Sequence, residues 1–321
     1  MRNAHKRNVI ALAMIILFSQ SFGIRAEVSQ KRDSVAKSIL SKMRQCRARL
    51  KNLQCLVEYD DFQSYEAQKK TLEEARQGGA PAGLIKLLEN DLSSPSNIKH
   101  NYQTQKIILD NKGRAKIELT VGTYDDSGNK VSAPEKSIDI WDGKTSIAYH
   151  ERPGIALPGA ILGNTPDRTI NILRRPLRSF GGKFMDAFSK AVDVGQEIDV
   201  EKNEEDGTFQ ITFMEGDVKN VGIIDPAKGF SVVKSEQYRG EAIFVQFTAD
   251  FVDFNDGVWF PKEGKIESYF ADGQRDRMST VRVTRIRIND PAFNKNLFHL
   301  DFPKGTTVAD TVTGIQFVVG D

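Results

Sequence analysis

From residue 100 onward the apolar residues of this chain recur with a period of two, and turn residues interrupt them at short intervals. That pattern admits little besides antiparallel β-structure. Asn111-Lys112-Gly113, Ser127-Gly128-Asn129 and Asp142-Gly143 bound strands over 115–121 and 137–141. After a break the rhythm resumes. Asp206-Gly207, Asp225-Pro226 to Gly229, Asn255-Asp256-Gly257 and Asp272-Gly273 frame strands over 209–213, 243–251, 265–270 and 281–288. Loops this short, with this glycine and asparagine content, make hairpins. Alternation slips between Val283 and Ile286, which predicts a β-bulge and a bend. Ile243, Val245, Phe247, Ala249 and Phe251 fall consecutively on one strand face. A solvated face does not carry such a run, so the sheet must hide a concave side.

Helical patterns frame the strands. Residues 29–51 read as one amphipathic helix with Val35, Ile39, Met43, Cys46 and Leu50 on its stripe. It runs into a strand over 53–62 whose one face carries Leu53, Cys55, Val57 and Tyr59. A helical insertion at about 63–96 follows, with helices over 65–77 and 84–92 parted by Gly78-Gly79-Ala80-Pro81. Only the second is strongly apolar (Leu84, Ile85, Leu87, Leu88, Leu92), and the pair is expected to pack on the sheet edge. Mid-chain, 150–163 reads as a flexible apolar loop. Thr165 then caps a helix with Pro166 at its first position, and Pro176 stops it. A second helix over 183–192 follows Gly181-Gly182 and bears Phe184, Met185 and Phe188. These three are either ordinary core or the apolar side of a lid at about 164–193, hinged on the two glycines.

The expected architecture is mainly β with α: a half-open antiparallel β-barrel of about ten to eleven strands covered by helices. Its apolar cavity and lid candidates are Ile243, Val245, Phe247, Phe251, Ile170, Leu173, Phe184, Met185 and Phe188.

The N-terminus sets the expected compartment. Arg2, Lys6 and Arg7, an apolar run over 9–18 and a polar exit to Ala26 have the layout of a signal peptide, residues 1–26. The remaining 27–321 are expected to form one half-barrel domain. The apolar run is shorter than the about 20 residues a membrane-spanning helix takes, and no cysteine adjoins the cut to accept a lipid. A periplasmic or secreted monomer without stable membrane insertion is therefore expected. Removing Arg2, Lys6, Arg7 and Arg25 leaves 41 basic against 43 acidic residues. So balanced a chain has no global field to attract nucleic acid. If the strand folds back along the first helix, Cys46 and Cys55 reach one layer and form a disulfide; two separately buried thiols are the alternative.

Catalytic signatures are missing. Gly143-Lys144-Thr145 copies the tail of a phosphate-binding loop, but Ile138 stands where the partner glycine would be. Downstream of residue 26 the histidines are His100, His150 and His299, without ligand spacing, and no metal or cofactor site is expected. Neither a nucleophile elbow nor a zincin motif occurs. Asp139, Trp141 and Asp142 read as a core tryptophan beside a turn aspartate, with a sugar-binding edge as the alternative.

The element order, with an amphipathic helix entering the first strand and helices inserted mid-sheet, ends in the run 302–310. That run matches a P-x-G-x-x-V-x-D pattern at Pro303, Gly305, Val308 and Asp310. In these features the chain resembles exported bacterial proteins of the outer-membrane lipoprotein-sorting (LolA-like) superfamily. The resemblance implies a hydrophobic cavity for acyl chains and a non-enzymatic carrier of a lipid or acylated protein. A sensor or scaffold holding an envelope protein partner is the alternative. No carrier residue matches a position here, so none is transferred.

Overall fold

A computed structural model of the chain describes residues 34–93, 99–124, 134–151, 159–164, 183–254 and 257–320. The expected signal peptide, the first mid-chain helix with Ile170 and Leu173, and the Gly181-Gly182 hinge lie outside them. Four α-helices are described: α1 (34–48), α2 (Tyr65–Gln77), α3 (Ala82–Leu92) and α4 (Lys183–Asp193). The strands are β1 (Asn52–Gln63), β2 (Lys99–Asp110), β3 (Ala115–Tyr124), β4 (Glu135–Trp141), β5 (Ser146–Glu151) and β6 (Gly159–Gly163) before α4. After it come β7 (Ile198–Lys202), β8 (Phe209–Glu215), β9 (Val218–Asp225), β10 (Ser231–Arg239), β11 (Ala242–Asp253), β12 (Trp259–Tyr269) and β13 (Arg275–Ile288), then β14 (Thr307–Asp310) and β15 (Ile315–Val318).

All fifteen strands form one open sheet, ordered β15-β14-β6-β5-β4-β3-β2-β1-β13-β12-β11-β10-β9-β8-β7. This exceeds the expected ten to eleven. The surplus comes from short pieces such as β6, β7, β14 and β15, of four or five residues each, too brief to show alternation. β6 also corrects the reading of 150–163 as loop, since Gly159–Gly163 pairs antiparallel with β5 and parallel with β14. β1 sits mid-sheet, between β2 and β13. One wing meanders out from it to β6. The chain then crosses to β7 and meanders back to β13, and the segment after β13 returns to place β14 beside β6.

The two wings hide opposite faces. On β8–β10, Ile211, Phe213, Ile224 and Val232 are buried against Ile39, Leu40 and Met43 of α1 and Phe184, Met185 and Phe188 of α4. The reverse face of that wing is polar, with Lys234 and Glu236 paired at 2.8 Å and Tyr238 donating to Glu236 at 2.6 Å. On β2–β5 the order inverts. Ile108, Ile138, Ile140, Ile147 and Tyr149 pack under Phe293, Leu297, Phe298, Leu300 and Phe302 from the returning segment. Their opposite face presents Gln103, Gln105, Ser137, Asp139 and His150.

Local signals behave as the residues dictate. The bulge expected between Val283 and Ile286 is present: β1–β13 pairing shifts between Leu56↔Thr284 and Gln54↔Arg287, with Arg285 at φ 49°. Asp142 Oδ1 accepts from the amides of Lys144 and Thr145, making the phosphate-loop lookalike a hairpin turn. In the closing pattern, Gly305 takes φ 86°, Val308 is fully buried, and Asp310 Oδ1 accepts from the amides of Val312 and Thr313 to shape the β14–β15 turn. The α2–α3 hairpin packs near mid-sheet rather than on an edge. Thr71 of α2 accepts from Gln63 of β1 at 3.2 Å, and Lys70 pairs with Asp272 in the β12–β13 turn and lies 4.3 Å from the centre of the Phe270 ring.

One glycine fixes α4. The Phe184 ring occupies the space that a β-carbon on Gly222 of β9 would fill. Gly222→Ala is therefore expected to cost about 1–3 kcal/mol in urea denaturation through overpacking. The cost should shrink in a Phe184→Leu background, since contacting residues couple.

Candidate functional site

Beneath the sheet lies a cavity of about 770 Å³ lined from ten strands, from His150 on β5 through β1 to Asn220 on β9. Ten strands laid flat would span roughly 43 Å at their usual spacing. Sharing one cavity of this volume means that the sheet curls around it. Leu119, Phe184, Val245, Phe247 and Ile266 form apolar wall, mostly from the wing that carries α4. The wing whose other face is buried supplies a polar wall, in which Gln105 and Asp139 are 7% and 5% exposed. Asn220, fully buried on β9, accepts a 2.9 Å hydrogen bond from Gln237 of β10 and extends the polar surface across. Asp61, Lys183 and Arg277 complete the ionisable set with Asp139 and His150.

A second cavity, of about 230 Å³, lies under α1 and is lined mainly by Met43, Leu50, Met185, Phe230, Phe251 and Phe260. β11 runs past both spaces. Val245 and Phe247 face the larger, Phe251 faces the smaller, and buried Ala249 stands between them.

The sequence-derived candidates separate accordingly. Val245, Phe247 and Phe184 line the large cavity, while Phe251 and Met185 line the small one. Ile243 lines neither. β10–β11 pairing passes from Gln237↔Val245 to Tyr238↔Ile243, leaving Phe244 as the extra residue of a bulge. A one-residue slip turns a side chain to the other face, so the five-residue apolar run is broken at its first member. Phe188 lines neither cavity and is 0% exposed among α1, α4 and Phe213. Phe184, Met185 and Phe188 are 4%, 5% and 0% exposed, a burial that packed core requires and that a lid closed on the sheet shares. Ile170 and Leu173 lie outside the described residues. The polar wall was missed because glutamines and serines on a strand read as solvated; only on β4 was there a signal, the alternation of Ser137 and Asp139 with Ile138 and Ile140, which face the other way.

Of the two readings of the cysteines, the free thiols are the one present: Cys46 and Cys55 are not bonded to each other. Cys55 is buried in the mid-sheet layer beside Leu53 and Val57, whereas Cys46 lines the small cavity. Burial pushes the Cys55 thiol up to about 12. Among the described residues no group of three or more His, Cys, Asp and Glu could hold a metal, and no helix is long and apolar enough to cross a membrane.

No family model matches the chain, and no curated protein does. Among solved structures it is similar to a DUF1329 family protein from Desulfovibrio piger ATCC 29098, at 9% identity and a TM-score of 0.39, over 84% of this chain and 97% of that one. It is also similar to a LolA superfamily protein from Nitrosomonas europaea, at 11% identity and a TM-score of 0.37, over 83% and 97%.

Two measurements check the site. Phe188→Ala is expected to cost about 3–5 kcal/mol in chemical denaturation, as for a filled core position; a mobile lid would lose about 1–2 kcal/mol. A maleimide at pH 8 should label Cys46 in the native protein and both cysteines once it is unfolded. A disulfide would leave neither reactive without reductant.

Proposed function

We propose that this chain is a non-enzymatic binding protein that shelters an amphipathic ligand, either a lipid or the acyl group of a lipidated protein, inside its curled sheet. The observation that carries this reading is the cavity of about 770 Å³ with an apolar wall at Phe184, Val245 and Phe247. Its volume lies within the about 300–1,000 Å³ usual for ligand pockets. Burying each ligand methylene contributes about 0.8 kcal/mol. Association and ordering offset several kcal/mol of the total, which suits a carrier that must also release its load. The signal-peptide pattern at 1–26 and the resemblance to lipoprotein-sorting proteins support an exported carrier working in the periplasm as a single-domain monomer.

A scaffold role for the same fold has one observation in its favour. Leu84 and Leu87 on α3 are 48% and 58% exposed, a surface for a protein partner. An open cavity of this size serves no purpose in that reading, so the carrier is preferred.

Native mass spectrometry of protein purified without detergent is expected to show a bound lipid-sized mass, and the emptied protein should take up a fluorescent fatty acid. Absence of both, with the fold intact, would overturn the carrier reading.

A further inference from the structure

Gln105 on β2 is 7% exposed and lines the large cavity, and its carboxamide oxygen has no hydrogen-bond partner among the described residues. A buried polar atom left unpaired costs stability, and such groups are few in native folds. Here the orphan belongs to a wall built of the same chemistry: Gln103 beside it on β2, and the Gln237–Asn220 pair across the cavity. The terminal torsion of a glutamine is soft, so its oxygen can swing to meet a donor entering the cavity.

We infer, resting on the binding reading above, that the large cavity accepts an uncharged, hydroxyl-bearing headgroup, that of a glycolipid, with Gln105 receiving a hydroxyl donor. Two features select this chemistry. The orphan oxygen needs a donor. A carboxylate or a phosphodiester offers acceptors only, whereas a hydroxyl both donates and accepts, as does the carboxamide it meets. The ionisable lining is also balanced, with Asp61 and Asp139 against Lys183 and Arg277. A headgroup of either net charge would therefore meet like charges as well as opposite ones. Tyr59 on the same lining supplies flat apolar surface for a sugar ring, and Phe184, Val245 and Phe247 receive its alkyl chain.

Three amphiphiles with the same twelve-carbon chain test this below their micellar concentrations: dodecyl maltoside, dodecylphosphocholine and dodecanoate, each measured by calorimetry. The maltoside should bind about tenfold tighter than the other two. Gln105→Leu should weaken maltoside binding about fivefold to tenfold, as loss of one buried hydrogen bond does, and bring the three close to level. The same variant without ligand should unfold at an equal or higher temperature, because it removes a buried acceptor that the fold leaves unpaired. Equal affinity of the wild type for all three, or an undiminished maltoside preference in Gln105→Leu, would overturn the headgroup assignment while leaving the carrier reading standing. A lower unfolding temperature for the variant would overturn it as well, by showing that Gln105 is paired within the fold. If none of the amphiphiles binds, the carrier reading itself fails.

Discussion

Everything in this molecule depends on which face of the sheet each wing has to hide. Fifteen strands in one unclosed sheet expose far more apolar surface than one layer of helices can cover. The chain solves this with two covers on opposite sides. α1 and α4 lie on the inner face of β7–β10, and the segment returning from β13 to β14 lies on the outer face of β2–β6. The apolar side of the sheet therefore changes over near β1. At the changeover β2 is apolar on both faces, with Ile107 on the inner side and Ile108 on the outer.

The cavity is a consequence of that inversion. When the sheet curls, Phe184, Val245, Phe247 and Ile266 on one side, interrupted by Asn220, Ser235 and Gln237, face Gln103, Gln105, Ser137 and Asp139 on the other. Collapsing them together would strip water from Gln103, Gln105 and Asp139 without giving each a partner, a cost that apolar contact does not offset. The space stays open for a ligand that is itself part apolar and part polar. Phe184 closes one side of it, held over Gly222 where no β-carbon intervenes.

Much of this could be read from the residues alone, and the exceptions share a cause. The hairpin rhythm, the amphipathic first helix, the bulge before Ile286 and the apolar inner side of β11 from Val245 to Phe251 all follow from local periodicity and turn chemistry. Ile243 was misplaced because one extra residue in a strand leaves no mark on a hydrophobic pattern. The short strands β6 and β14 pair with each other across a long stretch of sequence, with Thr307 opposite Gly159. The polar wall was illegible for a related reason. Whether Gln105 faces water or a cavity depends on where residues 289–306 lie, and nothing near Gln105 encodes that.

The central claim is that the space between the two inner walls holds an alkyl chain, and heavy-atom crystallography tests it most directly. Crystals grown with an alkyl ligand carrying bromine at its chain end would locate that end by anomalous scattering. The account predicts a bromine peak against Phe184, Val245 and Phe247. Bromine found only on the exterior, at the exposed leucines of α3 for example, with the large cavity filled by ordered water alone, would contradict it.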